Sequence, residues 1–158
     1  MRHATSVFRH LRSYATNERL APNAHQAVHT HWEWVAPNRM AYQIAGLSDA
    51  VVIGTRRWDR DPGKTWQEST TDPLTVPTPT WGTAPAHAFL LGSSRAAGRP
   101  VWLASFVQPD VPAWFTIAID KKTLRTLALW LVAPAHFMHH RYTHFNQPLP
   151  IRPPIKRR

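Results

Sequence analysis

The sequence predicts a mainly β, α+β fold: a single curved antiparallel sheet of about 9–11 strands that forms a half-barrel, with one or two helices covering its concave face. Apolar and polar residues alternate with a period of two from residue 25 to residue 145, and turn-forming residues recur about every eight to twelve residues. The 158 residues include 15 Pro and 8 Trp but only 6 Gly. Frequent prolines exclude long helices, and aromatic side chains favour strands.

The N-terminal segment predicts one short amphipathic helix near residues 5–12. Val7, Phe8 and Leu11 have the spacing of a single helix face, and Thr5 is a suitable N-cap. We expect residues 14–20 to continue as a strand.

Residues 25–70 predict an antiparallel meander of four or five short strands. In the first strand, Trp32 and Trp34 lie on one face and His31 and Glu33 on the other. Turns rich in Pro, Gly, Asn and Asp separate the strands at residues 36–38, 46–49 and 61–64.

The second half of the chain predicts a proline-rich connection followed by five more strands. The connection is residues 72–85, and the strands are residues 86–95, 100–107, 114–119, 124–133 and 136–145. Residues 124–133 fit a helix as well as a strand, but the polar hairpin turn before them favours a strand. We therefore place one domain at residues 5–147 and a Pro-rich, basic tail at residues 148–158.

Composition limits the classes of partner and of chemistry. Nineteen Lys and Arg against nine Asp and Glu give a formal net charge of +10 at pH 7, which attracts polyanions and anionic membrane surfaces. The absence of Cys excludes disulfides, thiol catalysis and Cys-ligated zinc. The sequence contains neither a Gly-x-Ser-x-Gly nucleophile elbow nor a Gly-rich phosphate loop. We therefore predict a non-enzymatic binding protein.

The sequence shows no targeting segment, so we expect either a protein that stays inside the cell or a domain of a longer exported or membrane-anchored chain. No stretch approaches the roughly 20 apolar residues of a transmembrane helix. Residues 1–20 contain four Arg and lack the apolar centre of a secretory signal peptide.

Four segments resemble the LolA-like and LppX-like superfamily of lipoprotein carriers. Residues 32–42 (WEWVAPNRMAY) are similar to its W-x-x-x-x-P-x-R-x-x-Y stretch. Residues 51–54 (VVIG) and 57–63 (RWDRDPG) resemble its W-x-Y-D-P hairpin, and residues 120–126 (DKKTLRT) its strand–turn–strand. Residues 135–142 (AHFMHHRY) are similar to a run in actinobacterial extracytoplasmic domains, some attached to membrane proteins related to copper resistance.

The resemblance implies an eleven-strand half-barrel with a helical lid, a cavity for a lipid or acyl-chain ligand, and a location at the cell envelope. It also implies a fused or partner membrane protein, for which this chain would serve as a sensory or accessory domain. No lipobox cysteine of the lipoprotein carriers is present.

Large side chains on the strands are the candidates for lining such a cavity. We predict this role for eight aromatic residues: Trp32, Trp34, Tyr42, Trp58, Trp102, Phe106, Trp114 and Trp130. An acyl chain that displaces water from such a lining gains about 0.8 kcal/mol per buried methylene. The alternative is that each of these rings simply packs in the core.

A histidine run in the predicted last strand suggests copper handling as an alternative function. His136, Met138, His140 and His144 are predicted to share one strand face, and His and Met are suitable copper ligands. The alternative for this run is a solvated polar face.

Nucleic-acid binding is the other function that the charge suggests. Basic residues adjoin Trp58 at Arg56, Arg57 and Arg60, and the tail is basic. However, no known nucleic-acid-binding motif is present, and the basic residues are dispersed. We expect no nucleic-acid partner and no obligatory cofactor.

Overall fold

The structure is a computed structural model that describes residues 1–23, 26–77, 81, 85–109, 112–134 and 136–155. These residues form one short helix and eleven strands. The helix is α1 (Arg2–Arg9), and the strands are β1 (Ser13–Ala21), β2 (Val28–Val35), β3 (Arg39–Ile44), β4 (Ser48–Ile53), β5 (Arg56–Arg60), β6 (Gln67–Thr70), β7 (Ala86–Ala96), β8 (Arg99–Gln108), β9 (Ala113–Asp120), β10 (Thr126–Ala133) and β11 (His136–Thr143).

All eleven strands belong to a single antiparallel sheet that is not closed into a barrel. Their spatial order is β6-β5-β4-β3-β2-β1-β11-β10-β9-β8-β7, so β1 and β11 are neighbours at the centre and two meanders extend outward from them. The predicted fold class, a curved antiparallel sheet with a helix on one face, is confirmed. Residues 124–133, which fitted two patterns, form β10 from Thr126 onward.

Helix α1 lies closer to the N-terminus than the sequence predicted. It covers Arg2–Arg9 rather than residues 5–12, and the hydroxyl of Thr5 donates to the Met1 carbonyl (3.4 Å) as an interior helix residue instead of capping the helix. The backbone N–H of His10 bonds to the carbonyl of Val7 (3.2 Å), which ends the helix. The helix must end here because the chain enters the central strand β1 at Ser13.

The face of the sheet that α1 covers is called the concave face below. On β1 this face carries Tyr14 and Thr16, and the ring of Phe8 from α1 lies 4.9 Å from the ring of Tyr14. Farther along the sheet, Phe106 of β8 and Phe115 of β9 stack with centroids 5.2 Å apart. These contacts form the main hydrophobic core between the helix and the sheet.

The opposite, convex face has buried groups of its own. Val101, Ala118 and Ala128 form a second cluster against which Phe145 packs. Residues after β11 also return to the sheet, where the Arg39 guanidinium donates to the carbonyl of the buried Ile151 (2.9 Å). The predicted tail therefore contacts the domain at Ile151, while residues 156–158 fall outside the described residues.

Candidate functional site: a cavity between the helix and the concave face

A cavity of about 380 Å³ lies between α1 and the concave face of the central strands. Its walls come from α1, β1, β2, β9, β10, β11 and the connection before β7. The lining residues are Phe8, Tyr14, Thr16, Glu18, Trp32, Trp34, Trp81, Phe115, Leu129, Leu131, Met138, His140 and Tyr142. This set is dominated by aromatic and aliphatic side chains, which suits an apolar ligand.

An unbroken row of stacked aromatic rings forms one wall of the cavity. The rings of Tyr14 and Trp34 stack at 5.9 Å, those of Trp34 and Trp32 at 5.6 Å, and the ring of Tyr42 lies 4.7 Å from that of Trp32. The row exists because Tyr14, Trp34 and Trp32 occupy the same face of the paired strands β1 and β2. Large side chains on neighbouring strands thus form a wide apolar surface without gaps.

The outer end of this aromatic row is held by an ion pair. Arg57 donates from Nη2 to the Tyr42 hydroxyl (2.8 Å) and pairs with the carboxylate of Asp59 at 2.6 Å. The hydrogen bond that Arg57 donates to Asp59 is the main cause that raises the pKa of Arg57 above its ordinary value. Arg57 remains cationic and orients the Tyr42 ring behind Trp32.

Two phenols in the cavity wall are neutral. Burial raises the pKa values of Tyr14 and Tyr142, and each side chain is less than a tenth exposed. They contribute apolar ring surface to the cavity and no charge.

Glu18 and His140 form a polar pair in the otherwise apolar wall. They are directly opposite in the β1–β11 ladder, and Nε2 of His140 lies 2.9 Å from Oε2 of Glu18. The side chains are 9% (Glu18) and 16% (His140) exposed, and the two atoms are in close contact without the alignment of a hydrogen bond. Sequence reasoning did not identify Glu18, because an isolated acid in a strand carries no motif.

The structure distributes the eight predicted aromatic residues over both faces. Trp32 and Trp34 line the cavity, Tyr42 lies behind Trp32, and Phe106 lies in the core stacked on Phe115. Trp102 also lies on the α1 side, but beside a separate hollow near the N-terminus, where the Lys121 ammonium is 3.8 Å from its ring centroid.

The remaining three tryptophans are on the convex face, away from the cavity. Trp58 is fully buried there, while Trp114 and Trp130 are 51% and 37% exposed. The residues next to these tryptophans in their strands point to the concave side; they are Arg57, Phe115, Leu129 and Leu131. Because successive side chains of a strand alternate, the tryptophans point to the convex side. The cavity instead includes Phe8, Tyr14, Trp81 and Tyr142, which sequence reasoning did not assign to it.

The structure does not gather the four predicted metal ligands. Met138 and His140 face the cavity, whereas His136 is exposed at the start of β11. His144 follows the end of the strand with a positive φ of 52°, so the alternation no longer applies to it, and its Nδ1 lies 3.0 Å from the Thr143 hydroxyl. Among the residues that the structure describes, no three His, Cys, Asp or Glu side chains are close enough to hold a metal ion.

The architecture is similar to that of proteins with solved structures. No protein-family model and no curated protein matches the chain. The lipoprotein LppX of Mycobacterium tuberculosis superposes with a TM-score of 0.69 at 10% identity, covering 96% of this chain and 95% of that one. LprF from Mycobacterium bovis superposes with a TM-score of 0.63 at 9% identity, covering 99% of both chains.

This chain has an LppX-like fold. The match extends over nearly the whole length of LppX and LprF and includes the eleven-stranded sheet and its helix. A further similarity, to the Pseudomonas aeruginosa MucA/MucB complex, has a TM-score of 0.51 at 15% identity and covers 92% of this chain and 54% of that one. The part of the chain that the structure describes contains no helix with the length and hydrophobicity needed to cross a membrane.

Proposed function

We propose that this LppX-like domain binds the acyl chain of a lipid or a similar apolar ligand in the cavity between α1 and the concave face, without catalysing a reaction. One observation carries the proposal: a half-open cavity of about 380 Å³ has a lining that is mainly aromatic and aliphatic. Ligand pockets have volumes of about 300–1,000 Å³, and an apolar lining favours an apolar occupant.

The energy of transfer is sufficient for binding. Each methylene that leaves water contributes about 0.8 kcal/mol, so ten methylenes contribute on the order of 8 kcal/mol before ordering costs. That value corresponds to a dissociation constant in the micromolar range. The stacked rings of Tyr14, Trp34 and Trp32 are already in contact with one another, so less side-chain freedom is lost when a chain packs against them.

The ionisable groups of the cavity support binding rather than catalysis. Glu18 and His140 are engaged with each other, and Tyr14 and Tyr142 are neutral. The described lining contains no Ser, Lys or Cys, and its one aliphatic hydroxyl is that of Thr16.

We place this activity at the cell envelope, in line with the lipoprotein LppX that shares the fold. The chain has 19 basic and nine acidic residues, and this excess of positive charge favours a location beside an anionic membrane surface. The domain then acts either on its own or as the accessory domain of a membrane protein.

The test is displacement of a fluorescent fatty-acid probe, with two adjacent substitutions on β10. Leu131 lines the cavity, whereas Val132 is 48% exposed on the convex face. Leu131→Trp fills the cavity, and we expect it to weaken probe binding tenfold or more; Val132→Trp serves as the matched control, with affinity within twofold of the wild type. Equal affinities in all three proteins, or no uptake of the probe by the wild type, would contradict the proposal.

A further inference from the structure

The convex face carries an exposed apolar patch that the cavity does not explain. It comprises Trp114 on β9, Trp130 and Val132 on β10, and Phe137 on β11, which are 51%, 37%, 48% and 45% exposed. We call these four residues the convex patch.

The four side chains form one continuous surface. Val132 of β10 pairs with Trp114 on the neighbouring strand β9 and with Phe137 on the neighbouring strand β11. Trp130 lies two residues before Val132 and is therefore on the same face of β10. The Trp130 ring is held by stacking on His139, with centroids 4.9 Å apart and planes 8° apart. Together the four side chains expose on the order of 400 Å², which is within the roughly 300–600 Å² of the largest apolar patch on a typical monomer, and such patches are often functional.

Basic side chains border the convex patch. Arg19 of β1 is opposite His139, and Arg141 follows two positions later on β11. Both arginines are close enough to His139 to help lower its pKa, although burial is the larger cause. The one carboxylate on β1 and β11, Glu18, is on the concave side and is paired with His140.

We propose that the convex patch and its arginine border dock this protein on an anionic lipid bilayer. Tryptophan and phenylalanine are suited to the boundary between headgroups and acyl chains, and arginines beside them bind lipid phosphates. A second copy of the chain is a poorer occupant for two reasons: both copies carry a formal charge of +10, and the patch is about half the roughly 800 Å² per partner of a stable interface.

The patch and the cavity share the same strands. Val132 of the patch is adjacent to Leu131 of the cavity, and Phe137 of the patch is adjacent to Met138 of the cavity. A bilayer on the convex face is thus separated from the cavity by the thickness of one sheet. The docking proposal rests on the proposed function. If the cavity binds lipid, docking on a bilayer brings the cavity close to a source of lipid.

The experiment is flotation of the full chain with vesicles of phosphatidylcholine alone or with about 30% phosphatidylglycerol, at two salt concentrations. We expect the wild type to bind the anionic vesicles and to dissociate as salt rises. The variant Trp114→Ser/Phe137→Ser removes two exposed patch residues, and we expect at least a tenfold loss of binding. The matched control, Leu90→Ser/Leu91→Ser, removes two residues of the edge strand β7 that are 67% and 59% exposed, and we expect it to bind within twofold of the wild type.

Other results would overturn the docking proposal. The proposal is wrong if the wild type does not bind anionic vesicles, if the patch variant binds them as well as the wild type, or if the β7 control loses as much binding as the patch variant. A wild-type dimer that the patch variant abolishes would assign the patch to a second copy instead. Probe binding in solution separates this result from the proposed function, because we expect the patch variant to take up the fatty-acid probe as the wild type does.

Discussion

The carboxylate of Glu18 and the imidazole of His140 face each other across the β1–β11 ladder, with Oε2 and Nε2 2.9 Å apart in the wall of an apolar cavity. A carboxylate in such surroundings is stable only beside a polar partner, because desolvation costs it several kcal/mol.

Removal of one member of this pair should therefore cost more than removal of both. His140→Leu leaves the Glu18 carboxylate without its partner, and we expect it to lower the free energy of unfolding by about 3 kcal/mol. Glu18→Leu/His140→Leu replaces both with apolar groups, and we expect a loss of less than about 1 kcal/mol. Urea denaturation at neutral pH measures both variants. Equal losses in the single and the double variant would show that the two groups do not stabilise each other.

Trp58 should behave as a core residue, unlike the exposed tryptophans. It is fully buried on the convex face, and the Arg56 guanidinium lies 4.5 Å from its ring centroid. We expect Trp58→Ala to lower the free energy of unfolding by about 3–5 kcal/mol, because a large cavity replaces the ring. For Trp114→Ala, where the ring is half-exposed, we expect less than about 1 kcal/mol. Similar urea midpoints for the two variants would contradict this difference.

His139 should make the stability depend on pH. Burial is the main cause that lowers its pKa below the ordinary value of 6.5, and Arg141, His140 and Arg19 add to the effect. As the pH falls below 6.5 the unfolded chain binds this proton first, so the folded state loses stability until the pH passes the lowered pKa. The variant His139→Phe keeps a ring against Trp130, and we expect its stability to fall less between pH 7 and pH 5 than that of the wild type.

The measurement for His139 is the urea midpoint at several pH values across this range. His136→Phe is the control, because His136 is exposed on the same strand. A slope as steep in His139→Phe as in the wild type would show that this residue is not the source of the pH dependence.

Asp120 should contribute stability that acid removes. Its side chain is 1% exposed, accepts hydrogen bonds from the backbone N–H groups of Lys122 (3.0 Å) and Thr123 (2.6 Å), and lies 2.8 Å from Nε of Arg99. Burial alone would raise the pKa of Asp120, but the bonds from Thr123 and the charge of Arg99 outweigh it, and the pKa is below 3.8. The contribution is therefore complete above about pH 4 and is lost as the pH falls through the lowered pKa.

Asp120→Asn tests this contribution. We expect it to cost about 1–2 kcal/mol near neutral pH, and the difference from the wild type should shrink in acid below pH 3.8. Asp61→Asn, at an exposed turn, is the control and should have the stability of the wild type. A difference between Asp120→Asn and the wild type that is constant from pH 7 into acid would contradict the assignment.

Strand positions were largely predictable from the sequence because they depend on local chemistry. The turn around Asp61, Pro62 and Gly63 follows from the backbone preferences of those residue types, and the two-residue rhythm of β2 and β3 follows from the pleat of a strand. The sequence predicted that a short N-terminal helix exists but not which residues it covers, because the end of the helix depends on where β1 joins the sheet.

The assignment of side chains to the cavity could not be predicted in the same way. In β10 the residues Leu129, Trp130, Leu131 and Val132 are all apolar, so their pattern does not distinguish the two faces. The structure places Leu129 and Leu131 in the cavity wall and Trp130 and Val132 in the convex patch. Side-chain size does not decide which residues lie inside, because the inner side is chosen by the curl of the sheet and by the contact with α1.

The sequence by itself determined that this protein is a basic, cysteine-free, single antiparallel sheet rich in aromatic side chains, since composition and alternation act residue by residue. Only the tertiary structure decided that Trp34 encloses a cavity while Trp114 faces outward, and that Glu18 meets His140. Those relationships join β1, at the start of the chain, to strands that follow more than a hundred residues later. Their partners are selected by the pairing of β1 with β11 and the closure of α1 over one face, which no local pattern encodes.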